Sequence, residues 1–375
     1  MVKGLYFHVP FCSYKCPYCD FVSVVGPQAE HGHYMELLLK ELSLYEELEF
    51  SLQTLYFGGG TPSLVSPKTY EVFLQELSKL VDLSRVEEIT IECNPENYSL
   101  EEFRALRELG FNRVSLGVQS LREEGLKALG RRHSLEQALR SVHWAAEAGF
   151  ERLNVDLIYG YQGQTPKELE RELDLLLSLP VSHVSLYMLT PYEDTLFGQL
   201  YRKGALSLPD GDTLGDMFEL ACDKLESAGF VHYEVSNFAL PGYECRHNLL
   251  YWTHQEFLGL GVSAWSFVKS RRFGNTRSLK LYEEKLKKGT KPVEQEERLE
   301  GREKLYDYLF VALRTRSGVP RALLGKAWQE LKDFFQEEGD RVRLNRKGML
   351  LLNEVLLRLK KHLRDNLTPD WEAVS

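Results

Sequence analysis

Short runs of β-branched and aromatic residues alternate with longer helical patterns from residue 3 to about residue 235, and this alternation constrains the fold more than any other feature. A succession of strand-then-helix units predicts parallel strands covered by helices. The predicted strands are Leu5–Val9, Thr54–Phe57, Glu88–Cys93, Arg113–Val118, Leu153–Ile158 and Val184–Leu189. Six units are fewer than the eight that close a (β/α)8 barrel, so the count favours an α/β fold with an incomplete barrel.

Unusual residues fall where these predicted strands end. They are a cysteine-rich loop after the first strand, Gly58–Pro62 after the second, and Glu92, Gln119 and Asp156 on the next three. Consecutive glycines let a backbone approach a ligand closely. Because the functional site of such barrels lies at the carboxyl ends of the strands, the pattern predicts one site at one mouth.

The loop after the first strand contains Cys12, Cys16 and Cys19 in a C-x3-C-x2-C pattern. A structural zinc site uses four protein ligands, and an ordinary iron–sulfur cluster likewise uses four thiolates. No fourth cysteine is near, because position 20 is Asp, position 21 is Phe, and the next cysteine is Cys93. We favour a [4Fe–4S] cluster held by three thiolates, which would leave one iron open to a small molecule.

Two other interpretations of this loop are open. One is a zinc site with His8 as the fourth ligand, and the other is a disulfide with a spare thiol. The chain has 6 cysteines in 375 residues and we expect no signal peptide, which favours a reducing compartment over a disulfide framework. The isolated Cys93, Cys222 and Cys245 are expected to be small buried hydrophobic residues.

The cysteine loop is preceded by Tyr6-x-His8-x-Pro10-Phe11-Cys12 and ends in Cys19-Asp20-Phe21. These segments resemble the HemW family of heme chaperones, radical S-adenosylmethionine (SAM) proteins related to oxygen-independent coproporphyrinogen III oxidase. The resemblance implies a partial (β/α)6 radical-SAM barrel with a small C-terminal winged-helix-like domain. It also implies that SAM chelates the open iron of the cluster, and that one electron from the cluster then releases a 5′-deoxyadenosyl radical.

The resemblance also assigns residues to SAM. These residues are Tyr6, Tyr18, Gly59, Gly60, Thr61, Glu92, Gln119, Arg131 and Asp156. The glycines and Thr61 belong to a Gly-Gly-Thr-Pro segment whose backbone contacts the SAM amino group in the family, and Arg131 can clamp the SAM carboxylate bidentately. Asp156 lies in an otherwise apolar strand and needs a partner, for which a ribose hydroxyl or Arg131 would serve.

Residues 247–252 read His-Asn-Leu-Leu-Tyr-Trp, the H-N-x-x-Y-W motif that marks the heme-chaperone group. An imidazole is an ordinary axial ligand of heme iron, so His247 is the predicted heme ligand. Tyr251 and Trp252 could supply a flat apolar wall. The oxidase group instead has a fourth cysteine where this chain has Phe21, and an N-terminal extension before its first strand. The resemblance therefore favours the chaperone group.

Three regions are expected: the barrel over residues 1–235, an irregular extension with the heme motif over 236–300, and a C-terminal domain over 301–375. In the last region, Arg341–Asn345 is predicted to be a short strand or wing and Met349–Leu363 a final helix. Lys and Arg outnumber Asp and Glu there, which leaves nucleic-acid binding as an alternative for this region. Its basic residues are scattered apart from the small group Arg341, Arg343, Arg346 and Lys347, so a solvated surface is favoured.

Composition and charge restrict the partners of the chain. It is 43% hydrophobic and 27% charged, with no apolar run long enough to span a bilayer. A net charge of −9 argues against a protein whose main task is gripping polyphosphate backbones. Residues Met1–Gly4 lead directly into a strand, so we expect no targeting segment and a cytoplasmic protein.

The function hypothesis is a heme chaperone that binds heme and passes it to an acceptor heme protein, such as an enzyme of a respiratory membrane. Its [4Fe–4S] cluster and SAM would gate or drive the transfer. The alternative is an enzyme, oxygen-independent coproporphyrinogen III dehydrogenase, which decarboxylates its substrate oxidatively. A third class is a radical SAM enzyme that acts on nucleic acid; no nucleic acid partner is expected under the favoured hypothesis.

Overall fold

The computed structural model describes residues 1–26 and 30–365 of the chain. The strands are β1 (Val2–Val9), β2 (Phe50–Gly59), β3 (Glu88–Cys93), β4 (Arg113–Gln119), β5 (Arg152–Tyr159), β6 (His183–Met188), β7 (Val231–Glu234), β8 (Asn237–Ala239), β9 (Phe257–Leu260), β10 (Trp265–Val268), β11 (Arg271–Asn275), β12 (Val293–Arg298), β13 (Val319–Pro320), β14 (Phe335–Glu338) and β15 (Arg341–Leu344). The α-helices are α1 (His31–Leu42), α2 (Pro67–Leu80), α3 (Leu100–Glu108), α4 (Glu123–Ala128), α5 (Leu135–Glu147), α6 (Pro166–Leu177), α7 (Leu196–Arg202), α8 (Gly211–Ser227), α9 (Arg246–Trp252), α10 (Leu279–Lys287), α11 (Gly301–Ala312), α12 (Ala327–Leu331), α13 (Arg346–Leu350) and α14 (Leu352–Asp365). Residues 366–375 of the predicted C-terminal domain lie outside the described residues.

The six predicted strands are β1 to β6, and they pair in parallel in their order along the chain. Beyond β1 the sheet continues through β9, β10, β11 and β12, and beyond β6 it continues through β8 and β7. Within the described residues the sheet thus ends at β12 and β7 rather than closing on itself. The fold is therefore an α/β partial (β/α)6 barrel, as the sequence predicts.

Helices cover the outer face of the barrel because the strands bury large apolar side chains there. Phe7 of β1 stacks on Phe57 of β2 with ring centroids 4.7 Å apart, and Phe73 of α2 meets Phe7 edge-on at 5.1 Å. A capping box begins α3: the Ser99 hydroxyl accepts from the Glu102 N–H, while the Glu102 carboxylate accepts from the Ser99 N–H. Side-chain caps likewise mark the start of α2, α5 and α6, whereas α1 and α4 have none.

Residues 236–300 differ from the irregular extension that the sequence suggests. They contain β8 to β12 together with α9 and α10, and β9 pairs in parallel with β1. The buried carboxylate of Glu41 on α1 holds this region by accepting from the Gly261 N–H at 2.7 Å, the Asn275 amide at 2.6 Å and the Tyr282 hydroxyl at 2.6 Å. Burial raises the pKa of Glu41 to about 7. The strands are short and β12 is mostly exposed, so they lack the periodic pattern that sequence interpretation requires.

The C-terminal region is a small helical domain with a three-stranded antiparallel sheet in the order β13–β15–β14. The predicted short strand at residue 341 is β15, and the predicted final helix is divided into α13 and α14. Arg346 at the start of α13 donates to Glu219 at 2.9 Å, Asp223 at 2.6 Å and Glu226 at 2.6 Å, all on α8 of the barrel. This ion-pair cluster joins the domain to the barrel.

The other members of the basic group also contact the protein itself. Arg341 donates to the carbonyl oxygens of Ser317 and Gly318, and the Lys347 ammonium lies 5.1 Å from the centre of the Phe334 ring. Arg343 lies 3.7 Å from Glu338. Among the described residues, no helix has the length and apolar character needed to cross a bilayer.

Candidate cofactor site

A cavity of about 460 Å³ opens at the carboxyl ends of the parallel strands. The predicted site residues on its wall are Cys12, Cys16, Tyr18, Cys19, Gly59, Gly60, Thr61, Glu92, Gln119, Arg131 and Asp156. The structure therefore brings together residues from β2 to β5 and from the loops that follow β1, β2 and α4. Two predicted residues, Tyr6 and His247, lie elsewhere and are described below.

All six cysteines are free thiols, which leaves no disulfide in the cysteine loop. The sulfur of Cys12 accepts from the Thr61 hydroxyl at 3.5 Å, and that of Cys16 accepts from Nη1 of Arg131 at 3.2 Å. Donors aimed at sulfur stabilise the thiolate, which is the metal-binding form. Burial raises the pKa of Cys19. A hydrogen bond with the Phe21 backbone and the positive charge of Lys15 offset part of this rise.

The three thiols supply the donor chemistry of a thiolate-held cluster, although their sulfur atoms are not gathered around one point. Soft sulfur ligands favour iron–sulfur clusters, zinc or copper(I) over hard cations. Among the described residues, no three His, Cys, Asp or Glu side chains are grouped so as to hold one metal ion. The three thiols nevertheless share one cavity wall with Arg131, whose buried Nε has no hydrogen-bond partner among the described residues.

His8 does not lie free to complete a zinc site. Its Nε2 donates to the Val22 carbonyl at 2.9 Å, and its Nδ1 accepts from the Tyr6 hydroxyl at 3.1 Å. Burial lowers the pKa of His8 to about 4, so the ring is neutral. His8 therefore anchors the end of the cysteine loop to β1. Tyr6 makes this contact from inside the barrel, and the SAM contact that the resemblance implies for Tyr6 stays a prediction.

The glycine turn after β2 packs against the base of the cysteine loop. A Cβ atom on Gly60 would lie 2.6 Å from the Pro10 carbonyl carbon and 2.7 Å from the Phe11 carbonyl oxygen. Gly59 has a φ of +111°, a backbone conformation that residues other than glycine rarely adopt. The glycines are thus needed for the two loops to meet, a structural requirement that exists with or without a ligand.

Glu92 presents a preorganised carboxylate to the cavity. It accepts from the Tyr56 hydroxyl at 2.7 Å and from the Gly59 N–H at 3.1 Å. Burial raises the pKa of Glu92 to about 7, and the nearby Asp156 charge adds to the effect. The group can therefore exchange a proton near neutral pH and can accept donors from a cationic or hydroxylated ligand.

Arg131 bridges the cysteine loop and the ends of β3 and β4. Its Nη2 donates to the Asn94 amide oxygen at 3.0 Å and to the Gly117 carbonyl at 3.1 Å. Asp156 instead accepts from Asn154 at 2.7 Å and from Ser115 at 3.3 Å, so Arg131 is not its hydrogen-bond partner. Asn94 is a cavity residue that the sequence prediction omits. Its position directly after β3, where the other site residues also follow strands, is the sequence signal that could have identified it.

Gln119 adopts a left-handed backbone with a φ of 71°, at an irregularity in the pairing of β4 with β5. Strained backbone of this kind clusters at functional sites. No sequence pattern announces it, since Gln is not a residue that favours this conformation. Gln119 is the last residue of β4 and lines the cavity.

His247 lies away from the cavity, near the opposite end of the barrel. It is the second residue of α9 and is fully buried, with Nδ1 hydrogen-bonded to the Thr54 hydroxyl at 2.7 Å and Nε2 to the Tyr251 hydroxyl at 2.7 Å. Burial lowers the pKa of His247 to about 3. The helix is fixed by Glu88, the first residue of β3, which accepts from the His247 N–H at 3.0 Å. Heme ligation by His247 stays a prediction, and it requires that these bonds break.

Comparisons with known proteins agree with this geometry. Residues 6–176 match the family model of the radical SAM superfamily. The chain is 39% identical over 320 residues to the heme chaperone HemW of Lactococcus lactis, covering 84% of this chain and 83% of that protein. It is 32% identical over 371 residues to HemW of Bacillus subtilis, covering 94% and 98% respectively.

A solved structure shows the same fold. Coproporphyrinogen III oxidase (HemN) from Escherichia coli, a radical SAM enzyme, superposes with a TM-score of 0.82 over 96% of this chain and 90% of the other. The two sequences are 21% identical. The likeness therefore extends through the C-terminal domain and concerns the fold alone.

Proposed function

This chain belongs to the HemW family of the radical SAM superfamily, and from that membership we propose that it is a heme chaperone that binds heme and transfers it to an acceptor heme protein. The observation that carries the proposal is the identity to HemW proteins over most of the chain, together with three free thiols on the wall of one cavity. Free thiols fit a reducing compartment such as the cytoplasm.

In this proposal Cys12, Cys16 and Cys19 hold a [4Fe–4S] cluster. When bound, the cluster would supply an open iron for SAM and an electron for its reductive cleavage. Arg131 and Thr61 would stabilise the thiolates through the hydrogen bonds that already reach Cys16 and Cys12.

The remaining cavity residues would bind SAM. The carboxylate of Glu92 can accept from the SAM ammonium or ribose, and its contacts to Tyr56 and Gly59 hold it in place before the ligand arrives. Asp156 can accept from a ribose hydroxyl beside its bonds to Asn154 and Ser115. Gln119, Tyr18 and the turn from Gly59 to Thr61 would complete the wall by shape and backbone contact.

The alternative function, oxidation of coproporphyrinogen III, has the HemN fold in its favour. Against it stands Phe21, which occupies the position where the family resemblance places a fourth cysteine in the oxidase group. We therefore rank the chaperone function first.

One experiment separates the two functions. Protein purified without oxygen is reconstituted with iron and sulfide, and its iron content and its spectral response to SAM are measured. Heme uptake at one equivalent per chain and transfer to an apo-heme protein support the chaperone function. Turnover of coproporphyrinogen III without stoichiometric heme uptake would reverse the ranking. Zinc bound in place of iron would contradict both the chaperone function and the oxidase function as proposed here.

A further inference from the structure

A group of buried polar side chains lies behind the wall of the cofactor cavity. Asn154 on β5 and His183 on β6 are each 1% exposed, Tyr233 on β7 is 6% exposed, and none of the three lines the cavity. Asn154 and Asp156 are two positions apart on the same strand, so their side chains point to the same face of β5. Asp156 does line the cavity, and it is therefore the residue through which this group can act on a ligand.

The amide of Asn154 uses all of its hydrogen-bonding capacity. Its Nδ2 donates to the Asp156 carboxylate and to the Ser115 hydroxyl, both at 2.7 Å. Its Oδ1 accepts from Nδ1 of His183 at 2.5 Å and from the Ser185 hydroxyl at 3.2 Å. An amide has two donor hydrogens and an oxygen that accepts two bonds, so none of these is spare. A flipped amide would turn its oxygen against the carboxylate, and the neighbours thus fix which way it points.

His183 donates to Asn154 only when its ring hydrogen is on Nδ1. The other ring nitrogen, Nε2, lies 2.7 Å from the Tyr233 hydroxyl. That hydroxyl accepts from the backbone N–H of Cys245 at 3.2 Å, so its own hydrogen is directed to Nε2. Because a backbone N–H only donates, it sets the direction of every hydrogen bond from Cys245 to Asp156.

Burial keeps the His183 ring neutral, as this arrangement requires. It lowers the pKa of His183 well below the ordinary value of a histidine, and the positive charges of Arg113 and Arg152 act in the same direction. A neutral imidazole has one donor nitrogen and one acceptor nitrogen. The ring therefore accepts from Tyr233 on one side and donates to Asn154 on the other.

We propose that His183 is a positioning residue of the cofactor site, which holds the Asp156 carboxylate, through Asn154, in the orientation that accepts from a ribose hydroxyl of SAM. The proposal rests on the proposed SAM-binding role of the cavity and adds residues that do not touch the ligand. Without the donor from Asn154, the carboxylate would keep the longer bonds from Ser115, at 3.3 and 3.4 Å. A carboxylate that is already held in place loses less conformational freedom when the ligand binds.

Two variants of His183 separate positioning from support of the fold. SAM binding is measured by equilibrium dialysis against reconstituted protein of equal iron content, and stability by urea unfolding. His183→Leu removes the donor to Asn154 and is expected to weaken SAM binding about tenfold. In His183→Asn an amide nitrogen can take the place of Nδ1, so SAM affinity should stay within about threefold of the wild type. Both variants lose the bond to Tyr233 and should lose stability.

Asn154→Asp tests the same chain of bonds without removing the imidazole. The variant keeps the shape of the side chain and still accepts from His183, but it loses both donor hydrogens and sets a second carboxyl group against Asp156. SAM binding is expected to weaken at least about tenfold. His254→Leu is the control, because it removes an imidazole that is hydrogen-bonded to Asp307 and does not line the cavity. Its SAM affinity should equal that of the wild type.

The ring of His183 can also be observed without any cofactor. In protein labelled with ¹⁵N-histidine, the NMR signals of this ring are identified by their loss in His183→Asn. They are expected to show a neutral ring with its hydrogen on Nδ1. A hydrogen on Nε2 would overturn the proposal, because Nδ1 would then have no hydrogen to donate to Asn154.

The outcomes distinguish this proposal from the function on which it rests. If the reconstituted wild type binds no SAM, the proposed cofactor site fails, and the positioning role with it. If the wild type binds SAM and both His183→Leu and Asn154→Asp bind it as tightly, only the positioning role is overturned. Equal losses of SAM affinity in His183→Leu and His183→Asn, in step with their losses of stability, would show that the ring supports the fold and would also overturn it.

Discussion

The ring of Tyr56 stacks on the imidazole of His247 with ring centroids 5.1 Å apart and an angle of 30° between the planes. The hydroxyl of the same tyrosine donates to Glu92 in the cofactor cavity. One side chain on β2 therefore touches both the heme motif and the cavity carboxylate. The heme motif and the cofactor cavity lie apart, but Tyr56 contacts a residue of each. A substitution in one of them is therefore expected to alter ligand binding at the other through Tyr56.

Tyr56→Phe is expected to weaken SAM binding about tenfold or more. The variant keeps the ring stack and removes one hydrogen bond to a charged group, which is worth about 1.5–3 kcal/mol. Equilibrium dialysis of SAM against reconstituted protein measures the change. Tyr98→Phe is the matched control, because its buried hydroxyl donates to the Val65 carbonyl and does not contact Glu92. Equal SAM affinity in Tyr56→Phe and the wild type would contradict a role for this bond.

Cys16→Ser is expected to abolish the cluster. Iron–sulfur clusters prefer soft thiolate ligands, and a serine hydroxyl is a hard oxygen ligand. The variant also removes the sulfur that accepts a hydrogen bond from Arg131. Iron and sulfide per chain after reconstitution should fall close to zero, together with the visible absorbance. Cys222→Ala is the control, since that thiol is buried outside the cavity. Full iron content in Cys16→Ser would remove this residue from the ligand set.

Glu92→Gln is expected to change how stability depends on pH. Burial raises the pKa of Glu92 from 4.5 to about 7, so the folded protein holds a proton between these values that the unfolded chain has lost. This contribution to stability is complete below about pH 4.5 and is lost as the pH rises through 7. Glutamine is neutral throughout. The stability of the variant relative to the wild type should therefore rise between pH 5 and pH 8, by up to about 3 kcal/mol.

Urea unfolding of the two proteins without cofactors, at both pH values, measures this difference. Other buried carboxylates such as Glu41 and Glu234, whose pKa values burial also raises to about 7, are common to both proteins and cancel in the comparison. A pH-independent difference would show that Glu92 titrates at its ordinary value.

Sequence patterns predict the barrel and its mouth because both depend on local information. Strand runs, caps such as Ser99 and the spacing of Cys12, Cys16 and Cys19 are written within a few residues of each other. The hydrogen bond between Glu88 and the start of α9 joins residues 159 positions apart, and no sequence pattern near either residue predicts it. The burial of His247 follows from that contact, so a motif alone gives its presence but not its surroundings.

Exposed side chains and strained backbone escaped sequence interpretation for a related reason. Tyr187 and Met188 end β6, whose first four residues are buried, and the sequence does not show that the last two are exposed. Gln119 likewise has an ordinary side chain on a strained backbone. Exposure and backbone conformation are set by neighbouring elements, which a single sequence does not place.

His247→Ala is expected to lower the free energy of unfolding by about 2–4 kcal/mol, because it leaves a cavity and two buried hydroxyls, of Thr54 and Tyr251, without their partner. Thr54→Val is the matched control: it breaks one of the two bonds, frees Nδ1 of the ring, and is expected to cost about 1 kcal/mol. Urea unfolding measures both variants.

The pair of variants also decides what a loss of heme binding means. If His247 ligates heme, Thr54→Val keeps the imidazole and binds heme, while His247→Ala does not. If His247 only supports the packing of α9 against the barrel, heme uptake falls in both variants, in proportion to the free energy of unfolding that each has lost. A His247→Ala protein as stable as the wild type would contradict the supporting role, because a buried imidazole bonded at both nitrogens cannot be removed without cost.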